Sequence, residues 1–452
     1  MDSQGEYQNV VIVGQAYAGW PQLLVFTGST YCSCYHLRPY LGLFRSRKDD
    51  MHVLLLTLLQ LLLQIIEQPK GIRCLVLEKA ASMRTEGSGI DIFANGWRAL
   101  DQLRVGTELR AKSIAVTEIR EQSLEENRMR VFLCSNVEVR CVRRKDLIEI
   151  LANNLPANTL RFNCQITAIS TDPATSFPVL HTSDGVVIKA SKWFSLLQIV
   201  IGCDGLNSIV AKSLGLVMPK SFPTWVLRGF TPYPDGHSFG TFFYRIRNKH
   251  LFLGRVPVDD RLVHWFIAPM NPFKDLNDLK DPKLIRDFAV ELLQKFPSEV
   301  IEMVKASDLS SISLRYISYR PPWQLMFNDL WRGTMVLAGD AMHVMGPFLG
   351  QGGCASIEDG VVLARCISQK LPADSECTAI SDKELHERIE AALSDYVKER
   401  KLRVIGLSTN SYLIGSITGT SSWVKKLLCI IILVLFFKDS PLCHSDYDCG
   451  KL

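Results

Sequence analysis

The sequence lacks the cysteine spacings of a disulfide framework or a zinc site, since its 13 cysteines include no Cys-x-x-Cys pair. Scattered cysteines of this kind are typical of reduced, mostly buried thiols in an intracellular protein. The sequence also lacks a large excess of charge of either sign, because 51 basic and 46 acidic residues leave a net charge of only +5 over 452 residues. We therefore predict no binding to nucleic acid.

Targeting signals and long apolar runs are also missing. Residues 1–6 are polar and acidic, unlike the start of a signal or transit peptide, so a cytoplasmic location is expected. Two apolar stretches, 51–66 and 427–437, are too interrupted or too short to cross a membrane. The second would reach roughly 16 Å as a helix, about half of a bilayer core. We interpret both as buried or interfacial helices, which leaves peripheral membrane contact open.

What the sequence does contain is a set of short apolar runs, each followed by glycine or an acidic residue. These runs are 10–13, 73–77, 200–202 and 334–338. Continuous apolar runs are typical of buried parallel strands. The carboxyl ends of parallel strands line a nucleotide-binding crevice in open α/β sheets, so the runs predict such a crevice.

Between the third and fourth runs the pattern changes to aromatic-rich segments typical of antiparallel strands, at 242–244, 250–253 and 263–267. Helices are predicted over 281–305, with Asp281 as the N-cap, and over 381–404. Four aromatic residues of the strands are interpreted either as substrate contacts or as core: Phe242, Tyr244, Phe252 and Trp265.

The predicted fold class is α/β, with a Rossmann-like domain built on a parallel sheet, an interleaved antiparallel-sheet substrate domain and C-terminal helices. The predicted boundaries are 8–217 for the nucleotide-binding domain with an atypical insertion at 20–70, 218–325 for the substrate domain, 326–380 for the rest of the nucleotide-binding domain, and 381–452 for the C-terminal helices.

A glycine-spaced turn follows the first run, where a dinucleotide-binding G-x-G-x-x-G motif belongs. Gly14 suits the tight turn and Gly19 the helix packing, but Ala16 replaces the middle glycine, where backbone approaches the pyrophosphate. Glu78 is the candidate acid for the ribose hydroxyls. It follows Gly19 after 58 intervening residues, where about 20 are usual.

The most specific segment is 339–353, in which an acid after a strand precedes a glycine-opened helix. The Asp340 carboxylate is placed to accept hydrogen bonds from a polyol, and Pro347 lies in the approach loop. Residues 350–353, Gly-Gln-Gly-Gly, open a helix whose free N–H groups and positive end suit an anionic ring system.

This segment resembles the Gly-Asp-Ala-x-His…Pro…Gly-Gln-Gly motif of the FAD-dependent aromatic hydroxylases, the group that contains p-hydroxybenzoate and salicylate hydroxylases. Residues 201–208 resemble the Asp-Gly motif of the same group, which handles FAD and NAD(P)H, with Ala211 where arginine usually closes it. Residues 144–147 are similar to its Arg-x-x-Leu, and 95–100 and 447–452 resemble plant members related to salicylate hydroxylase and zeaxanthin epoxidase.

The resemblance implies an FAD-dependent monooxygenase. In such enzymes NAD(P)H reduces FAD, O2 adds, and a flavin hydroperoxide hydroxylates or epoxidises a small aromatic or isoprenoid-like substrate. No side chain is assigned as catalytic, no metal is expected, and His343 is interpreted as structural. The implied cofactor-binding residues are Gly14, Ala16, Gly19, Glu78, Arg144, Asp204, Gly205, Asp340, Pro347, Gly350, Gln351 and Gly352.

The insertion motivates an alternative function. Residues 20–70 place Pro21 where the pyrophosphate-facing helix should start, and a long loop without periodicity is unusual in a compact domain. We interpret the segment as untranslated sequence mistakenly joined to the coding frame. A protein that carried it would be a catalytically impaired relative with weak FAD binding.

Overall fold

The computed structural model describes residues 10–14, 74–83, 88–134, 137–155, 159–188, 199–270, 279–371, 381–420, 422–437 and 443–451. The predictions for Ala16, Gly19 and the insertion at 20–70 lie outside the described residues. Of the eight cysteines whose side chains are described, all are free and all but Cys429 are buried, as the sequence predicts.

The strands alternate with short helices until a helical C-terminal region. The strands are β1 Val10–Gly14, β2 Cys74–Glu78, β3 Gly89–Ile92, β4 Glu118–Ser123, β5 Arg128–Leu133, β6 Arg140–Arg143, β7 Leu160–Arg161, β8 Ile166–Thr171, β9 Pro178–Thr182, β10 Val187–Ile188, β11 Ile199–Gly202, β12 Lys220–Pro232, β13 Phe242–Arg247, β14 Leu251–Asp259, β15 Leu262–Pro269, β16 Ser313–Tyr319, β17 Trp331–Arg332 and β18 Met335–Leu337. The helices are α1 Ala94–Gln102, α2 Gly106–Arg110, α3 Arg144–Asn153, α4 Ile209–Ser213, α5 Pro282–Leu292, α6 Ser298–Lys305, α7 Pro322–Phe327, α8 Asp340–His343, α9 Gly352–Lys370, α10 Asp382–Gly419 and α11 Trp423–Phe436.

The four apolar runs form the centre of a parallel sheet, as predicted. Within the described residues its strand order is β17-β18-β11-β1-β2-β7, and only β17 pairs antiparallel. Gly14 lies beside Glu78 in the register, while Val13 lies beside Gly202. The strands therefore end level with one another, and the loops that follow them meet at one edge of the sheet.

A second, mostly antiparallel sheet contains the three aromatic-rich segments. Its order among the described strands is β16-β12-β15-β14-β13-β4-β5. β4 and β5 come from residues 118–133, far upstream of the other strands, and β13 pairs with β4 in parallel. They escape sequence analysis because they are rich in charged side chains and β5 is almost entirely exposed, so neither forms an apolar run.

The predicted helix over 281–305 is wrong in its continuity. Asp281 is the N-cap as predicted, since its carboxylate accepts a hydrogen bond from the Lys283 N–H at 2.7 Å. The helix then ends at Leu292, and α6 begins after Pro297. Proline has no N–H to donate and disfavours a helical conformation in the preceding residue, so it separates the two helices.

The C-terminal helices differ from prediction in length and burial. α10 begins after its N-cap Ser381, as predicted, but continues past residue 404 to Gly419. The apolar stretch 427–437 forms most of α11, none of whose residues is buried, so of the two predicted alternatives the buried helix is wrong and the interfacial helix stays a prediction. No described helix is long and apolar enough to cross a bilayer.

Candidate functional site

A large cavity lies between the carboxyl edge of the parallel sheet and one face of the antiparallel sheet. Its volume is about 810 Å³, within the range of sites that enclose small molecules and cofactors. Of the residues predicted from sequence to bind a cofactor, those lining the cavity are Arg144, Asp204, Gly205, Asp340, Pro347, Gly350 and Gly352.

Asp204 follows β11 and is buried at the cavity wall. Its Oδ2 accepts a hydrogen bond of 2.6 Å from the Ile209 N–H, the first N–H group of α4, while Oδ1 has no partner among the described residues. Burial raises the pKa of this carboxyl to about 6, against the opposing effect of its hydrogen bonds. Gly205, with φ of +68°, supplies the left-handed turn that brings the chain back along the cavity.

Asp340 is the first residue of α8 and lies half-buried at the same edge. Gly339, before it, has φ of +58°, a conformation that favours glycine. The Gly339 N–H donates a 2.8 Å hydrogen bond to the Asp359 carboxylate of α9. The buried Asp359 carboxylate therefore stabilises the turn that precedes Asp340.

The N-terminus of α9 faces the cavity as predicted. Gly350, with φ of +63°, turns the chain, and a Cβ there would lie 2.8 Å from the Phe93 ring. Gly353, which sequence analysis did not assign, also lines the cavity, and a Cβ there would lie 2.5 Å from the Ile90 side chain. Both glycines allow β3 and the chain beside it to approach the start of the helix.

Gln351 differs from its neighbours. Its side chain is buried, and Oε1 accepts a 2.8 Å hydrogen bond from the Asn95 amide of α1. The side chain does not line the cavity, so only its backbone remains available to a cofactor. Gln351, which lies between two cavity-lining glycines, thus connects the start of α9 to α1 through this hydrogen bond.

Arg144, which the resemblance assigns to the cofactor, both begins a helix and lines the cavity. It is the first residue of α3, its side chain is only 4% exposed, and it lines the cavity. Glu78 is equally buried at the end of β2, where its Oε1 accepts a 2.7 Å hydrogen bond from the Ala80 N–H. Glu78 does not line the cavity, and the sheet places it beside Gly14.

A buried ionic network lies behind the glycine-opened helix. The Asp359 carboxylate contacts His343 Nε2 at 2.7 Å and Arg400 Nε at 2.7 Å, and Arg400 also reaches Glu358 at 2.7 Å. All four side chains are fully buried. Burial raises the pKa of Asp359, but the charges of His343 and Arg400 outweigh it and hold the pKa below its usual range. His343 is therefore structural, as the sequence suggests.

On the opposite wall, the structure selects between the two interpretations of the aromatic residues. Phe252 lines the cavity, Trp265 is fully buried in the core, and Phe242 and Tyr244 lie outside the cavity. Phe243 and Phe266 line it instead. Side chains alternate between the two faces of a strand. A prediction that is displaced by one residue therefore selects the side chains that point away from the cavity.

His264 of β15 is a further cavity residue that sequence analysis missed. Its side chain is 5% exposed, and neither ring nitrogen has a hydrogen-bond partner among the described residues. Burial, with a smaller effect from the charge of Arg228, lowers the pKa of His264 to about 3. The imidazole is therefore neutral at physiological pH and offers one donor and one acceptor. Period-two alternation from Phe266 could have identified it.

The buried network predicts that substitutions of two aspartates, one on α9 and one on α10, lower the free energy of unfolding by very different amounts. Asp359→Asn should lower the free energy of unfolding by about 3–5 kcal/mol, because it removes the charge opposite buried Arg400 and His343. Asp395, which pairs with Lys370 at 3.3 Å on the surface, is the control. Asp395→Asn should cost less than about 1 kcal/mol. Equal losses in urea titrations would contradict this assignment.

The lowered pKa of His264 predicts that the free energy of unfolding decreases at acid pH. Unfolding restores its pKa to about 6.5, so the unfolded chain takes up the proton first, and stability falls as the pH drops from about 6.5 towards 3. Between about pH 7 and pH 5 this residue should account for about 2 kcal/mol of lost stability. His264→Gln should therefore lose about that much less than the parent protein in urea titrations at the two pH values. Identical losses would show that folding does not lower the pKa of His264.

Comparison with known proteins agrees with this geometry. Residues 61–395 match the family model described as an FAD binding domain. The chain is 42% identical to Monooxygenase 1 of Arabidopsis thaliana over 389 residues, which are 85% of this chain and 94% of that protein. It is 31% identical to Monooxygenase 2 of the same plant over 395 residues, 84% of this chain and 93% of that one.

The fold is also shared with solved structures. HpxO of Klebsiella pneumoniae, solved with FAD and uric acid, superposes with a TM-score of 0.71 at 17% identity, covering 97% of this chain and 96% of the other. A match of this identity concerns the fold, whereas the family match and the 42% relative concern the chemistry. The chain belongs to the FAD-dependent monooxygenases.

Proposed function

We propose that the protein uses NAD(P)H and O2 to hydroxylate or epoxidise a small aromatic or isoprenoid-like substrate. The observation that supports this most is the construction of the cavity. One wall carries the carboxylates of Asp204 and Asp340 and a helix N-terminus, and the other carries phenyl rings, one neutral imidazole and the side chains of Arg228, Arg245 and Arg315. Such a cavity suits a polar, charge-accumulating ring system on one side and, on the other, a molecule that combines apolar surface with a few polar groups.

The residues of the first wall fit FAD. Asp204 Oδ1 is a buried acceptor whose partner the described residues do not supply, and Asp340 lies at the same edge. The bound flavin would supply the activation of oxygen, for which protein side chains are unsuited. The free N–H groups at the start of α9 would stabilise the negative charge of the reduced ring.

The residues of the second wall would exclude water and orient the substrate. Phe243, Phe252 and Phe266 present apolar surface, and the cavity lies between two packed sheets. His264 would hold a hydroxyl or carbonyl group of the substrate, since a buried polar group without a partner is costly. Because the imidazole is neutral, it can donate to a carbonyl or accept from a hydroxyl.

Asp340 provides a test of the cofactor wall. Asp340→Ala should weaken flavin affinity about 10- to 100-fold, since a hydrogen bond to a charged group contributes roughly 1.5–3 kcal/mol. Asp172 is the control, because it is also partly buried and accepts a 2.8 Å hydrogen bond from the Ala174 N–H far from the cavity. Flavin absorbance retained after desalting gives the readout. Equal retention by both variants would remove Asp340 from the site.

The activity is tested by product formation from a panel of phenols and isoprenoid olefins with NADH or NADPH and isotopically labelled O2. We expect one labelled oxygen atom in the product. His264→Leu should lower the product formed per NAD(P)H consumed about 5- to 150-fold, because an unpaired polar group of the substrate costs about 1–3 kcal/mol. His250→Leu, which is exposed in the turn between β13 and β14, should not. Flavin-replete protein that makes no labelled product would refute the proposal.

A further inference from the structure

α11 is an exposed apolar helix with nothing packed over its outer side among the described residues. Its exposed side chains include Trp423 at 72%, Leu428 at 56% and Leu435 at 69%. α11 packs against α10 on its inner side, and near its end Leu433 and Phe437 line the cavity. Exposed apolar surface of this extent marks a contact with a protein or a membrane.

The charges around α11 indicate which of these two partners, a protein or a membrane, the helix contacts. At 100° per residue, all the exposed apolar residues except Phe436 fall within an arc of roughly 160°. Lys425 and Lys426 flank that arc on its two sides, and the remaining residues of the arc after Trp423 are aliphatic. A protein interface usually carries about one hydrogen bond per 100–200 Å², and this arc offers almost no side-chain donors or acceptors.

We propose that α11 lies in the surface of a membrane that contains anionic lipids. The aliphatic arc would lie among the acyl chains, while Lys425 and Lys426 reach the phosphate groups and Trp423 lies at their level. At 14 residues the helix is about 21 Å long, too short to span a hydrocarbon core of about 30 Å. It therefore binds in the plane of the membrane, with the cavity wall formed by Leu433 and Phe437 next to the lipid.

The test is co-sedimentation of the full chain with vesicles, which does not depend on flavin content or activity. Vesicles of phosphatidylcholine and phosphatidylserine in a three-to-one ratio should retain the protein, and vesicles of phosphatidylcholine alone should retain less. Leu428→Asp combined with Leu435→Asp should lower the partition coefficient at least about ten-fold, because each exposed leucine buries apolar area in the lipid. Lys425→Glu combined with Lys426→Glu should abolish the preference for phosphatidylserine.

Leu133→Asp is the matched control. Leu133 is 70% exposed on β5, which lies at the opposite edge of the seven-stranded sheet from β12, the strand that contacts α10. Near-UV circular dichroism should be the same for all variants. Two results would overturn the proposal. One is equal sedimentation of the Leu428 and Leu435 double variant and the control. The other is a dimer in sedimentation equilibrium that the double variant dissociates while no vesicle retains the parent protein.

Discussion

Asp359 accepts hydrogen bonds from the Gly339 N–H and the His343 ring through one carboxylate oxygen and from Arg400 through the other. These three partners come from the turn before α8, from α8 itself and from α10. One buried anion thus fixes the strand-to-helix turn that presents Asp340 and also sets the distance between α9 and α10. Since the four side chains of the network are fully buried, each is held by its partners alone.

The nucleotide-binding half of the fold is predictable from sequence because its signals are local. An apolar run followed by an acid gives both the strand and the edge at which its loop lies, and this identifies the positions of Asp204 and Asp340. The wall proposed to face the substrate depends on which face of each strand points inward, and that is set by packing between distant segments. The sequence therefore identifies the strands of this wall correctly but leaves Trp265 and Tyr244 open as substrate contacts or core, and it does not identify Phe266 and His264, which line the cavity. Gln351 shows a similar limit, because its partner Asn95 lies 256 residues away along the chain.

The pairing of β1 with β2 bears on the long separation between Gly19 and Glu78. Gly14 lies directly beside Glu78 in the register although the two are far apart in sequence. The proximity of the glycine turn and the acidic residue is therefore set by the sheet and does not require a connection of the usual length. Spacing rules for dinucleotide-binding motifs assume a single short helix between these strands. Here the spacing departs from the rule while the strand ends keep their relative position.

α10 contributes residues both to the buried ionic network and to the cavity. Arg400 in its first half contributes to the ionic network behind the proposed flavin wall, and Asn410, Ile414 and Thr418 in its second half line the cavity. A helix is stiff along its axis, so a change that shifts one half also shifts the other. Under the proposed assignment of the two walls, redesign of substrate preference through α10 would consequently disturb the cofactor, whereas changes on β13, β14 and β15 would alter only the wall proposed to face the substrate. Variation among related enzymes is accordingly expected to accumulate on those strands and to spare the helix.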